Sequence, residues 1–100
     1  MEIQADNKGT TFVKFLFEYM QEEAGQVMTL AERIKGQGGV DAQHDATMLM
    51  GLRDGIRADL GDAQPDDWKL IAEGNILLDF ISSTLSEWQD KTFEEVISGV

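Results

Sequence analysis

Between Pro65 and Trp88 the chain carries its most continuously apolar stretch, and that stretch restricts the fold more than any other. Ile71, Leu78 and Leu85 recur every seven residues, with Gly74, Ile81 and Trp88 between them at alternating three- and four-residue steps. Written on a helix, those positions form one seam. Leu70 and Leu77 widen the seam, while Ile76 and Phe80 put apolar surface on nearly the opposite side. A helix apolar over most of its circumference belongs inside a bundle or between two chains.

The rest of the chain supplies partners for it. Residues 1–9 read as a loose tail, with Asn7-Lys8-Gly9 as a turn before a first helix capped by Thr10 or Thr11. Val13, Phe17, Met20, Ala24, Val27, Ala31 and Ile34 follow helical steps, Leu16 and Leu30 broaden that stripe, and Phe12, Phe15 and Tyr19 make a second ridge. Arg33 and Lys35 suit the negative end of a helix and Gly36 a left-handed cap, so the helix spans about 25 residues, or roughly 37 Å. Gly25 is a place where it can bend. After the turn Gly36-Gln37-Gly38-Gly39, Asp41 can cap a second helix running to about Leu60, with Leu49, Leu52, Ile56 and Leu60 as its core face and Met48 beside them. Gly51 and Gly55 in that helix either admit a close neighbour or weaken it by up to ~1 kcal/mol each. Gly61 ends it, and Pro65 reads as the first helical residue of the next, with Asp66 and Asp67 complementing the dipole.

Two readings of the central helix stay open: it stops near Ser82-Ser83-Thr84, or it continues to Asp90. Thr84 with Glu87, and Thr92 with Glu95, each have the spacing of a capping box, the second followed by the short apolar face Phe93, Val96 and Ile97. No alternating strand pattern, repeat or low-complexity segment occurs. The expectation is an all-α fold in a single acidic helical domain spanning 1–100: a small bundle of three main helices plus a short C-terminal helix.

Composition narrows the chemistry. An apolar share of 42% suits a globular chain, and the absence of cysteine removes disulfides, thiolate metal sites and cysteine nucleophiles together. The first residues lack the basic start and apolar centre of a signal peptide, and no run approaches the ~18 apolar residues of a membrane span. A cytoplasmic protein without membrane attachment is expected. The only histidine, His44, lies near Asp41 and Asp45 but lacks the further ligand a metal site needs. Gly36-x-Gly38-Gly39 lacks the Lys-Ser/Thr of a phosphate loop. Asp59, Asp62, Asp66 and Asp67 depart from the ligand spacing of a calcium-binding loop, and Ser82, Ser83 and Ser86 have no histidine base in their sequence context. No enzyme activity, catalytic residue, cofactor or metal is expected.

Charge is the remaining signal. Nineteen acids against eight bases give a net charge of −11. Such a chain is repelled by nucleic acid and anionic membranes and attracted to basic protein surfaces. Direct nucleic-acid binding needs a basic stripe, which is missing. Asp59, Asp62, Asp66 and Asp67 place four negative charges within nine residues, Glu18, Glu22 and Glu23 form a second patch, and Glu94 with Glu95 a third. These patches serve solubility in one reading. In the other, Asp59, Asp62, Asp66, Asp67, Glu18, Glu22 and Glu23 engage a basic protein or protein complex whose groove normally holds nucleic acid. The ridge Phe12, Phe15 and Tyr19 is core in one reading and a homodimer interface in the other.

In length, charge and lack of catalytic residues the chain resembles the small acidic helical proteins that phages use against restriction or CRISPR systems. The resemblance is one of class and composition, carried by no motif. It implies a non-enzymatic inhibitor of a nucleic-acid-handling complex. The alternative is a helical adaptor, assembly factor or regulatory module acting through its apolar faces.

Overall fold

The structure, a computed structural model, describes residues 17–99. Three α-helices and one 3₁₀ turn account for most of that span: α1 (Gln21–Gln37), the turn Gly39–Ala42, α2 (Gln43–Asp62) and α3 (Trp68–Ser98). No strand occurs among the described residues, and none of their helices is long and apolar enough to cross a membrane. The helices run up, down and up. The start of α1 and the start of α3 therefore share one end of the bundle with the end of α2.

Periodicity located the core. Phe17, Met20, Ala24, Val27, Leu30, Ala31 and Ile34 are all buried, and α3 answers with Leu77, Ile81 and Leu85. The 3₁₀ turn adds Ala42 and α2 adds Ala46, Leu49 and Ile56; Leu52 and Leu60 are half-buried, while Met48 is exposed. At Gly74 α3 lies tight against α2, since a Cβ there would stand 2.7 Å from Leu60 Cδ2. No other described element comes within 4 Å of such an atom at Gly51 or Gly55, so these two do not serve the packing of the described helices.

Several boundaries differ from expectation, each for a local reason. The first helix was expected to pass unbroken through residues 17–20, but those residues are irregular and the helix starts at Gln21. The backbone N–H groups of Glu18, Tyr19 and Met20 all donate to Oε1 of Glu73, at 2.9, 2.9 and 3.1 Å. Glu73, delivered from another helix, thus anchors the bend that leads into α1 and satisfies the donors of that irregular backbone, Met20 at the cap position among them. The tail 1–9, the caps Thr10 and Thr11 and the apolar residues Val13 and Leu16 lie outside the described residues. At its other end α1 passes over Gly36, and the left-handed residues are Gly38 (φ 68°) and Gly39 (φ 55°). Gly38 N–H still reaches Ile34 O at 2.8 Å, which carries the hydrogen-bond ladder further than expected.

Asp41 caps nothing. It lies exposed in the 3₁₀ turn, which runs straight into α2 and leaves no open cap position. Pro65 is not the first helical residue either. Asp67 N–H donates to Gln64 O at 2.9 Å, closing a turn with Pro65 at its second position, where a fixed φ is favoured. Asp67 Oδ2 accepts the Gln64 N–H at 3.0 Å, and α3 begins one residue later.

The short C-terminal helix is absent as a separate element. α3 is one continuous helix of 31 residues, or about 46 Å. Both candidate capping threonines turn backwards instead: Thr84 Oγ1 donates to Phe80 O at 3.0 Å and Thr92 Oγ1 to Trp88 O at 2.7 Å. Hydroxyls bonded four residues back are compatible with an uninterrupted helix. Tertiary contact rewards the continuation. Trp88 Nε1–H donates to Gly39 O at 2.7 Å, and Glu95 Oε1 lies 3.5 Å from Val40 N. A side chain at Gly39 would overlap the Glu95 carboxylate and would have to adopt positive φ. The same turn is braced by Arg33, whose Nη2 stands 3.0 Å from Oδ1 of buried Asp45. That contact is Coulombic, because Oδ1 has no aligned hydrogen-bond donor.

A Trp88→Phe variant isolates the indole hydrogen bond, keeping most of the ring contact while leaving Gly39 O without its donor. Its expected cost is about 1 kcal/mol, and a thermal melt followed by circular dichroism measures it.

Candidate functional site: the acidic end

Chain direction gathers the carboxylates. Glu22 and Glu23 occupy the first turn of α1, Asp59 and Asp62 the last turn of α2, and Asp66 and Asp67 the turn leading into α3. Glu18 sits beside them, its backbone held by Glu73 and its Oε2 3.7 Å from Lys69 Nζ. All seven therefore lie at one end of the bundle. All are exposed except Glu23, which is half-buried.

Two concavities organise this end. A groove of about 890 Å³ runs between α1 and α2 and has Glu22, Glu23 and Asp59 along it. A smaller recess of about 250 Å³ is bounded by Tyr19, Asp66, Asp67, Trp68 and Lys69. Its two aromatic side chains are mostly in solvent, Tyr19 at 57% and Trp68 at 65% exposure, and Lys69 Nζ lies 5.7 Å from the Trp68 ring centroid. Aromatic faces beside carboxylates suit cationic side chains, which the ring quadrupole and the charges attract together.

Helix dipoles separate two kinds of acid here. Glu22, Glu23, Asp66 and Asp67 stand at or before helix starts, where negative charge is favourable. Asp59 and Asp62 stand at the carboxyl end of α2, in a last turn with no base to offset them. There the dipole opposes them. Local stability does not explain their presence.

The other sequence candidates are dispersed. Phe12 and Phe15 lie outside the described residues. Tyr19 is exposed, but in a bend ahead of α1 rather than on the helical ridge expected of it. His44, Ser82, Ser83 and Ser86 are exposed, and among the described residues no three His, Asp or Glu side chains converge as metal ligands would. Glu94 and Glu95 occur on the final turns of α3, where Phe93, Val96 and Ile97 are also exposed, Phe93 at 67%. Trp68 and Glu73 were missed by sequence reasoning. The only sequence signal at Glu73 is an acid immediately before Gly74 of the apolar seam.

Comparison with protein families, with curated proteins and with solved structures finds no match to this chain.

Proposed function

We propose that this chain is a non-enzymatic binding protein that inhibits a larger, basic, nucleic-acid-handling complex by seating its acidic end on that complex's positively charged surface. Inhibitors of the kind phages deploy against restriction or CRISPR complexes are the class in view. One observation carries the reading: Asp59 and Asp62 join five other carboxylates at one end of the bundle although their own helix disfavours them. Acids kept at a local electrostatic penalty are accounted for by a partner that needs them. Duplex DNA presents one charge per ~1.7 Å of axis, so a patch of this kind competes for a few arginines and lysines and is not a replica of a whole duplex.

The test is affinity capture from a bacterial lysate with the full chain and with a variant carrying Asn at Asp59, Asp62, Asp66 and Asp67. The unmodified chain should enrich a basic nucleic-acid-handling complex, released as salt rises from about 50 to 200 mM and displaced by duplex DNA. The variant should keep its helical circular dichroism and lose about tenfold or more of that capture. Unchanged capture would remove these carboxylates from the mechanism.

A second reading rests on a different surface. Phe93, Val96 and Ile97 form an exposed apolar strip on the last turns of α3, as a helical adaptor or assembly module would use. Under that reading Phe93→Ser with Ile97→Ser abolishes capture, and the four-Asn variant does not.

A further inference from the structure

The groove between α1 and α2 has features that the charge of the acidic end does not explain. Leu30, Leu52 and Ile56 form its floor, and three of its wall positions are Gly25, Gly51 and Gly55. A Cβ at any of these glycines would meet no described atom within 4 Å. Glycine in the middle of a helix weakens it relative to alanine. Three of them facing one trough, none required by a turn or by a described neighbour, keep its walls low. Among the described residues no buried polar side chain lines the groove: Asp45, Glu73 and Thr84 all lie elsewhere. Pockets for small polar ligands depend on such groups to orient what they bind. Acids stand at one end of the trough instead, Glu22 and Glu23 on one helix and Asp59 on the other.

We propose that this groove receives a basic amphipathic α-helix of the partner protein, its apolar side on Leu30, Leu52 and Ile56 and its lysines or arginines against Glu22, Glu23 and Asp59. The inference rests on the acidic-end reading above and names the element of the partner that the end takes. Charge complementarity selects the occupant: an apolar floor with acids on both walls at one end matches an apolar stripe flanked by bases. Length agrees. The lining of α2 extends from Met48 to Asp59, about 16 Å of axis, which three turns of a docked helix would cover. Low glycine walls let that helix approach closely.

The probe is a 15-residue Leu/Lys peptide with leucines at i, i+3, i+4 and i+7 steps and lysines flanking them. It is titrated into the full chain while amide resonances are followed by NMR. Binding should perturb Gly25, Gly51 and Gly55, and the matching Leu/Glu peptide should bind at least about 100-fold more weakly. Gly51→Leu with Gly55→Leu puts side chains into the trough at positions where a Cβ meets no described neighbour and favours the helix, so its melting temperature should hold or rise while peptide affinity falls at least about tenfold. Glu22→Gln with Glu23→Gln, which leaves the groove's shape intact, should weaken the Leu/Lys peptide alone.

Peptide binding undiminished by the two leucines, or perturbations confined to Phe93–Ile97, would overturn the proposal. So would occupation by another part of this protein. A second copy would appear as concentration-dependent shifts at Gly51 and Gly55 without peptide, and residues before Phe17 as shifts there on Phe12→Ser or Phe15→Ser. If the leucine variant still captures its lysate partner while the four-Asn variant does not, the groove inference fails and the acidic-end reading stands. If both capture normally, both fail.

Discussion

Glu73→Ala is expected to lower the melting temperature by about 15 °C, a loss of about 3 kcal/mol. One buried carboxylate oxygen accepts three backbone N–H groups whose residues lie 53 to 55 positions earlier in the chain. Hydrogen bonds to a charged acceptor contribute roughly 1.5–3 kcal/mol each. The sum is discounted because Glu18 and Tyr19 are exposed enough for water to replace part of the loss. Met20 is only 1% exposed, and its N–H has no such recourse. Glu73→Gln keeps an acceptor in place but loses its charge and adds an amide donor to a buried site, so it should fall about halfway, near 7 °C. Thermal melts measure both, and hydrogen exchange at the amides of residues 18–20 locates the effect. A drop of less than about 3 °C for the alanine variant would mean that solvent serves these donors equally well.

The second large effect has the opposite sign. Replacing Asp59 and Asp62 together by lysine should raise the melting temperature by about 10 °C at low salt. Each unfavourable charge–dipole contact is worth roughly 0.3–1 kcal/mol, and reversal both removes the penalty and replaces it with a gain. The increment should shrink in about 0.5 M salt, where the screening length falls to a few ångströms. Capture of a basic partner should collapse in the same protein. Stability and binding moving in opposite directions is the signature of residues kept for what they meet. A double variant that melts at or below the unmodified chain would show instead that these carboxylates support the local fold.

Much of the scaffold was written in the helical period. The stripe from Ala24 to Ile34 and the seam positions Gly74, Ile81 and Leu85 are buried because helical spacing puts them on one face, whereas Leu78 is half-buried and Phe17 and Met20 are buried ahead of the helix. Boundaries were less legible, since they depend on partners remote in sequence. Ser82-Ser83-Thr84 reads locally as a helix end, yet Thr84 and Leu85 are buried and Trp88 holds the turn at Gly39, so packing overrides weak helix propensity. The run Asp59–Asp67 was visible as a charge cluster. Its union with Glu18, Glu22 and Glu23 was not, because it follows from the direction of each helix. Glu73 illustrates the same limit: next to Gly74 it looks like a polar edge of an apolar seam, and its purpose appears only when Met20 is brought alongside.

Helix α3 grips the preceding chain at two places, near Glu18–Met20 through Glu73 and at Gly39 through Trp88. Synthesis proceeds from the amino end, so neither clasp forms before α3 has been made. Until α3 has emerged, the α1–α2 hairpin has neither, and the apolar surface that Leu77, Ile81 and Leu85 cover stays open. Any chaperone that shields that surface would act before α3 is in place.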